Sequence, residues 1–213
     1  MNSARRSPIR AWMLWLAAFV VVVAAGAMTT KVISIEDVEA AAAEGSFDPV
    51  SYTDDRFESE IVPQIEEDAV DLSALLADLA AGADEAEFGH APGTGSSFSF
   101  PVTFTGVTGT QTGSLLPITV EGLPEDVTVQ VQVGPAINGT ALRDVTGTVS
   151  FNEFTNQLEF QEAATEFNNR IRDGILADTT LPAAGEPITV TGAFTRVNPA
   201  LISVVPISIE SAQ

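Results

Sequence analysis

The residues best suited to chemistry lie between positions 134 and 170, a stretch rich in amide, hydroxyl and paired charged side chains. Arg143 and Asp144 are adjacent, and Asn156 and Gln157 stand near the start of a predicted helix. Neutral amides with a single arginine–aspartate pair suit polyols and other hydroxyl-rich ligands, because amides both donate and accept hydrogen bonds. We therefore predict a polar ligand site formed by Thr140, Arg143, Asp144, Asn156, Gln157 and Asn168.

A purely structural interpretation of the same stretch stays open. A long connection between two strands leaves many backbone N–H and C=O groups without partners, and Asn, Thr and Asp side chains satisfy such groups. Arg143 would then simply pair with Asp144 or with another nearby carboxylate. Buried polar groups serve this purpose more often than they serve chemistry.

The sequence carries no arrangement of residues that is typical of catalysis or metal binding. His90 is the only histidine and there is no cysteine, so a zinc site would have too few ligands. A serine–histidine–aspartate triad would depend on His90, which lies in a Gly/Pro-rich segment, and no G-x-S-x-G motif is present. We expect no catalytic residue, no metal and no cofactor, and hence a protein that is not an enzyme.

The charge balance limits the partners of the protein. The first 30 residues carry three arginines and no acid, so residues 31–213 hold 6 Lys and Arg against 29 Asp and Glu, a net charge of −23. Such a surface repels phosphate backbones and anionic lipid headgroups, which argues against nucleic-acid binding. The charge is typical of a solubility or salt-tolerance adaptation, and a docking surface for a basic partner or a cation is the alternative.

The first 30 residues predict export from the cytoplasm. An uncharged run at residues 11–28 follows three arginines and is long enough to cross a bilayer as a helix. Positive charge stays on the cytoplasmic side, so the C-terminal domain should lie in the periplasm. We expect a single-pass anchor in the bacterial inner membrane, and a signal peptide cleaved near Ala27 is the alternative.

The pattern along the chain predicts four regions. Residues 1–30 are the basic start and the membrane or signal segment, 31–47 a stalk, 48–90 a helical layer, and 91–213 a domain of strands. The helical layer should contain helices over Val50–Ile61 and Gln64–Ala80, the second with apolar residues at helical spacing. Both helices would pack outside the strand domain.

Five strands and one helix make up the expected C-terminal domain. Alternating apolar residues predict strands at residues 98–104, 116–120, 127–133, 188–194 and 201–209, and Pro206 favours an edge or a bulge in the last strand. A helix is predicted at 152–176, between the third and fourth strands. This order, β-β-β-α-β-β, is that of an OB-fold, in which a helix plugs the barrel. The expected fold class is α+β, mainly β: an OB-like five-stranded antiparallel barrel with an N-terminal helical layer, preceded by a single transmembrane helix.

Several of these segments resemble a known family. The strings Gly139–Asp144 (GTALRD) and Phe154–Gln157 (FTNQ), together with Tyr52 and Pro63, resemble the uncharacterised bacterial family of predicted periplasmic lipoproteins (domain of unknown function 2291). The resemblance covers the chain from about Lys31 to Glu210 and supplies no catalytic residue. It implies an exported protein with an OB-like domain, often encoded beside sugar-type ABC transporters. This chain has no cysteine to lipidate, which favours the transmembrane anchor.

The sequence therefore predicts a non-enzymatic, membrane-anchored periplasmic accessory or binding protein of an ABC-type sugar or solute uptake system. Its expected partners are the inner membrane, through residues 11–28, and a transporter permease or solute-binding protein. Two alternatives stay open. One is an exported hydrolase acting on sugars, which needs two carboxylates facing each other about 5 to 10 Å apart. The other is a purely structural envelope protein.

Overall fold

A computed structural model of the protein describes residues 47–212 together with Trp15, Leu16 and Phe19. The predicted stalk lies outside these residues except for Phe47, whose ring packs 5.4 Å from that of Tyr52 and 5.1 Å from that of Phe154. The predicted membrane segment at 11–28 also lies outside the described residues, apart from the same three positions. In the described part of the chain, no helix is long and apolar enough to cross a membrane.

Six strands form one sheet, and five of them close into a barrel. The strands are β1 (Val70–Asp71), β2 (Ser99–Thr108), β3 (Leu115–Thr119), β4 (Thr128–Gln132), β5 (Pro187–Thr195) and β6 (Leu201–Ser211). The ring runs β2-β3-β4-β6-β5 and back to β2, while β1 pairs in parallel with part of β2. This closed ring confirms the OB-like barrel that the order of elements predicts.

One pair of the ring corrects the prediction of an antiparallel barrel, because β4 and β6 run parallel. The direction follows from the ring itself. β5 is antiparallel to β2, and β6 is antiparallel to β5, so β6 points the same way as β2 and β4. Strand directions cannot alternate all the way around a ring of five, so one pair must be parallel, and here it is β4 with β6.

The barrel interior is filled by alternate residues of the strands, as expected when one face of each strand is buried. The buried cluster includes Phe100, Val102, Phe104, Leu116, Ile118, Val129, Val131, Ile188, Val190, Phe194, Ile202 and Val204. Leu72 and Leu75, from a helix that precedes the barrel, complete this cluster. Helical side chains of the N-terminal layer therefore reach the barrel interior, which corrects the prediction that this layer packs outside the strand domain.

The N-terminal layer contains the helices α1 (Pro49–Arg56), α2 (Val62–Asp68) and α3 (Leu72–Ala80), with a π-helical turn at Phe57–Ile61 between the first two. Asp48 caps α1 through its side chain. The predicted single helix Gln64–Ala80 is wrong, because Ala69 is extended and Val70 pairs with Val102 of β2. Asp71 then restarts the helix by accepting the N–H of Ala74.

The connection from β4 to β5 contains the helices α4 (Ala141–Asp144), α5 (Gln157–Arg170) and α6 (Leu176–Asp178), a 3-10 turn at Phe151–Glu153 and a π-helical turn at Ile171–Ile175. A helix is predicted at 152–176, whereas α5 begins at Gln157, five residues after that predicted start, because Asn156 caps it. Phe160 and Phe167 of α5 pack with Ala193 and Val205, which point away from the barrel interior. The predicted plug is therefore wrong, since α5 covers the outer wall of the barrel.

Pro206 lies at a bulge, one of the two situations predicted for it. β6 has neighbours on both sides, and its register with β5 shifts between Thr191 and Gly192, which faces Pro206. A Cβ atom at Gly192 would lie 2.3 Å from the carbonyl oxygen of Val205. Only glycine allows the two strands to approach this closely.

Candidate functional site

Arg143 and Asp144 form a buried bidentate ion pair within α4. Arg143 Nε donates to Asp144 Oδ1 at 2.7 Å, and Nη2 donates to Oδ2 at 3.1 Å. Their side chains are only 4% and 2% exposed. Two charges removed from water in this way are stable only if hydrogen bonds satisfy the remaining donors and acceptors.

Those remaining groups join α4 to α5. Arg143 Nη1 donates to the carbonyl oxygen of Phe160 at 3.0 Å and to Gln161 Oε1 at 3.3 Å. The guanidinium carbon lies 3.5 Å from the centre of the Phe160 ring, a cation–π contact. The Thr140 hydroxyl donates to Asp144 Oδ2 at 2.6 Å. The pair therefore acts as a clamp that fixes α4 and the preceding Thr140 against α5.

A cleft of about 560 Å³ opens beside this pair, and we name it the Arg143 cleft. Its walls come from the loop before β2, from α4, from the start of α5 and from the end of β5. The lining residues are Pro92, Ser96, Ser97, Thr140, Arg143, Asp144, Phe151, Gln157, Phe160, Gln161 and Thr195. Apart from the mutually neutralising pair, the polar groups are hydroxyls and amides.

Phe151 presents an aromatic ring to this cleft and is 42% exposed. Glu153 holds the turn that carries it, since its Oε1 accepts the N–H of Ser150 at 2.8 Å. Its Oε2 accepts from Arg56 Nη2 at 2.6 Å and from the Tyr52 hydroxyl at 3.2 Å. Burial raises the pKa of Tyr52 well above its usual range, so its hydroxyl remains a donor to Glu153.

A ridge formed by residues 138–141 bounds the Arg143 cleft on one side. Gln132 holds its first residue, because the N–H of Asn138 donates to Gln132 Oε1 at 2.7 Å and Gln132 Nε2 donates back to the Asn138 carbonyl at 3.0 Å. Asn168 Nδ2 donates to the carbonyl oxygen of Gly139 at 2.9 Å. Side chains of β4, α4 and α5 thus fix the ridge along its length.

The structure brings four of the six predicted site residues together at the cleft, namely Thr140, Arg143, Asp144 and Gln157. Asn156 instead caps α5, where its Oδ1 accepts the N–H groups of Leu158 and Glu159. Asn168 is buried beneath the ridge, and its Oδ1 has no hydrogen-bond partner among the described residues. The predicted stretch therefore contains both lining residues and their supports.

A second hollow, on the other side of the ridge, was missed by sequence reasoning. It measures about 460 Å³ and lies over the outer face of β3, β4 and β6; we name it the β4–β6 groove. Its lining residues are Leu115, Gln130, Gln132, Asn138, Gly139, Ala141, Thr195, Val197, Asn198, Leu201, Ser203 and Val205. The sequence pattern that could have indicated this groove is the alternation in β4, TVQVQ. Its polar positions place Gln130 and Gln132 on the same outward face.

Two ionisable residues that could take part in chemistry, Asp144 and His90, are already engaged in hydrogen bonds. Asp144 is the only carboxylate that lines the Arg143 cleft, and both of its oxygens accept hydrogen bonds. His90 Nδ1 lies 3.0 Å from the carbonyl oxygen of Val145, and its ring packs against Gly147. Within residues 47–212, no group of three His, Cys, Asp or Glu side chains is arranged to hold a metal ion.

The surface charge of residues 47–212 is almost wholly negative. This part of the chain holds five arginines, no lysine and 25 acidic residues. Each of the five arginines forms an ion pair with a carboxylate: Arg56 with Glu60 and Glu153, Arg143 with Asp144, Arg170 with Asp54, Arg172 with Asp173 and Arg196 with Glu85. An anionic ligand would therefore meet no uncommitted cation in this part of the protein.

Residues 18–210 match a family described as predicted periplasmic lipoprotein (DUF2291). The chain belongs to this family. The match confirms the resemblance drawn from the GTALRD and FTNQ strings, and the description predicts a location in the bacterial envelope. No curated protein matches the chain.

The fold of this DUF2291 protein is similar to a crystal structure of an OB-fold protein from Thermotoga maritima. The TM-score is 0.63 at 17% sequence identity, over 79% of this chain and 100% of that one. At this level of identity the similarity supports the OB-fold alone.

Proposed function

We propose that this protein is a non-enzymatic binding protein of the bacterial envelope, and that it captures an uncharged, hydroxyl-rich ligand in the Arg143 cleft. The lining of that cleft carries the proposal. The hydroxyls of Ser96 and Ser97 and the amide of Gln157 can donate to and accept from sugar or polyol hydroxyls. Thr140 Oγ1 can still accept a hydrogen bond, and Gln161 Nε2 can still donate one. The exposed ring of Phe151 offers an apolar surface for the C–H face of such a ligand.

Binding is favoured over hydrolysis by the state of the acidic groups. Hydrolysis of a glycoside requires two carboxyl groups that flank the bond to be broken. Asp144 is the single carboxylate of the cleft, and Arg143 and Thr140 occupy its oxygens. The proposal therefore assigns the ion pair to positioning and leaves ligand contact to the neutral side chains.

We further propose that residues 11–28 anchor the protein in the inner membrane, with the barrel in the periplasm, and that it is an accessory of an ABC-type sugar or solute uptake system. The permease or the solute-binding protein of that system would be its partner. The resemblance noted in the sequence suggests the transporter, the uncharged run at residues 11–28 suggests the anchor, and the family description supports a location in the envelope. The acidic surface of residues 47–212 disfavours nucleic acid and anionic lipid headgroups as alternatives.

The ligand proposal is tested by titrating full-length protein, purified in detergent, with an array of neutral sugars and polyols and with charged sugars of the same size. We expect neutral compounds to bind, and Gln157→Ala to weaken binding without changing the unfolding midpoint. The matched control is Gln111→Ala, since Gln111 is exposed in a distant hairpin and bonds only to Gly113. Equal affinity in all variants, or binding of charged sugars alone, would overturn the proposal.

The partner proposal requires crosslinking in cells, followed by purification of the tagged protein and mass spectrometry. Recovery of a permease or a solute-binding protein, with the segment 11–28 still attached, is the expected result. Recovery of a protein that begins near Met28 and carries no transporter component would remove both the anchor and the accessory role. If neutral ligands also failed to bind, the remaining assignment would be a structural envelope protein.

A further inference from the structure

We propose that the Arg143 cleft and the β4–β6 groove form one extended site for an uncharged oligosaccharide; this inference rests on the proposed function and specifies its ligand. Thr195 lines both hollows. The ridge between them contributes Gly139 and Ala141 to the groove and Thr140 to the cleft. A ligand that crosses the ridge would therefore contact both hollows without leaving the protein surface.

The ridge itself is suited to such a crossing. Gly139 has a φ of +100°, and a Cβ atom built there would meet no other atom within 4 Å, so the space above it is open. Gln132 and Asn168 hold the backbone of the ridge from below. A fixed ridge lowers the entropic cost of binding because little ordering remains when the ligand arrives.

The size of the two hollows favours an oligomer over a single sugar. The cleft of about 560 Å³ and the groove of about 460 Å³ each fall within the range of pockets that hold a drug-sized ligand. A monosaccharide would fill only part of either hollow. Several sugar units in a row would fill both and would bring more hydroxyls to the amides on each side.

The groove stands out for its lack of charge. None of its twelve lining residues is ionisable, although residues 47–212 hold five arginines and 25 acidic residues. Six of the twelve carry amide or hydroxyl groups: Gln130, Gln132, Asn138, Thr195, Asn198 and Ser203. Most of its exposed surface is nevertheless apolar, so the groove matches an uncharged ligand that offers apolar C–H faces as well as hydroxyl groups.

The backbone of the groove argues against a peptide. An extended peptide usually binds by adding a strand to a free sheet edge, where backbone groups are available. Residues 129–132 of β4 pair with β3 on one side, and residues 128–131 pair with β6 on the other. A peptide could thus not add a strand here, whereas a sugar can bond to the side chains with the hydroxyls around its ring.

Two apolar side chains complete the groove. Val197 is 78% exposed and Leu201 is 38% exposed, which places them among the most exposed large apolar residues of the folded part. Val197 lies at the turn between β5 and β6, and Leu201 begins β6, where it pairs beside Thr128 of β4. Amide groups next to apolar groups are what the polar rim and the C–H face of a sugar ring require.

The test measures how affinity depends on ligand length, and how a charge inside or outside the groove changes that dependence. Neutral oligosaccharides of several linkages are first screened on an array with full-length protein in detergent. The best binder is then titrated as a length series, from monosaccharide upward, by calorimetry. Val197→Asp places a charge in the groove, and Val50→Asp is the matched control, since Val50 is 47% exposed and lies in the first turn of α1, where an acid is tolerated.

We expect affinity to rise with ligand length, and Val197→Asp to weaken the longer ligands about tenfold while leaving the shortest unchanged, as a charge facing a neutral ligand must be desolvated. Val50→Asp should have no effect at any length. If affinity is the same at every length and Val197→Asp is silent, the extended site fails and the Arg143 cleft alone remains. If no neutral glycan binds, both proposals fail together.

Discussion

The chain contains two Arg-Asp dipeptides, Arg143-Asp144 and Arg172-Asp173, that differ in burial but not in geometry. In both, Nε donates to Oδ1 at 2.7 Å and Nη2 donates to Oδ2, at 3.1 Å in the first pair and 2.6 Å in the second. The first pair is 4% and 2% exposed, whereas the second is 40% and 65% exposed. The same two residues therefore make the same contact in opposite environments.

The comparison shows that the surroundings decide what such a pair does. Water competes with the exposed contact and screens it, so it adds little to stability. The buried pair is desolvated, and a carbonyl oxygen, a glutamine oxygen and a threonine hydroxyl satisfy its remaining groups. The buried pair fixes α4 and the ridge to α5. Removing only one of its two residues would leave an unpaired buried charge and would destabilise the protein.

The largest difference should appear when one partner of each pair is removed. Asp144→Ala leaves the Arg143 guanidinium buried without its counter-ion, so the free energy of unfolding should fall by about 3 to 5 kcal/mol. Asp173→Ala should leave the unfolding midpoint unchanged. Denaturant unfolding followed by circular dichroism measures both. Equal losses in the two variants would contradict the role assigned to burial.

Replacing the whole buried pair sharpens the comparison. The double substitution Arg143→Met with Asp144→Leu removes both charges, so no uncompensated ion remains in the core. We expect the free energy of unfolding to return to within about 2 kcal/mol of the unmodified protein, with the residual loss due to the unpaired Thr140 hydroxyl and Phe160 carbonyl. Ligand binding should still be weaker, since the ridge loses its clamp. A double variant as unstable as Asp144→Ala would show that the pair cannot be replaced by apolar packing.

A smaller effect is expected at Tyr52, whose hydroxyl lies between these extremes of burial. Burial raises the pKa of Tyr52, so its contribution to stability is complete below about pH 10 and is lost as the pH rises further. Tyr52 is the only tyrosine of the chain, and its ionisation can be followed directly by absorbance. The folded protein should form tyrosinate only at a higher pH than the unfolded chain. The Tyr52→Phe variant, as a control, should lose less stability over the same alkaline range.

The smallest effect concerns the exposed pair. The hydrogen bond from Arg172 lowers the pKa of Asp173, so any stability it adds is present above the ordinary pKa of an aspartate and is lost as the pH falls below about 4. Arg172→Ala should return the pKa of Asp173 to its ordinary range in an NMR titration. The unfolding midpoint should not change at any pH. A measurable loss of stability would show that this pair is coupled to the fold.

Much of the barrel could be predicted from the sequence because its strands alternate clearly. The β4 sequence TVQVQ shows one buried and one polar face, and the structure pairs it as a central strand. The break at Ala69 was not predictable from helical spacing, since apolar residues on both sides of it keep the helical period. Only the pairing of Val70 with Val102, thirty-two positions away, makes that break favourable.

The candidate site was predictable only in part, for a similar reason. Thr140, Arg143 and Asp144 lie within five positions, and their mutual contact follows from the short helix α4. The amide of Asn156 is suited to ligand binding. At the N-terminal end of α5, however, its oxygen accepts hydrogen bonds from the N–H groups of the helix itself. The β4–β6 groove joins Gln130 and Ser203, which become neighbours only when the barrel closes. Local sequence patterns carry no information about that closure.

Closure of the ring also bears on how the protein behaves at high concentration. An open five-stranded sheet would present two rows of unpaired backbone groups, and such rows recruit strands from other molecules into aggregates. Here β2 and β5 join the two ends of the sheet over nine residue pairs. Unfolded or half-closed chains are therefore the species exposed to edge-to-edge aggregation, and pairing of β2 with β5 removes both edges.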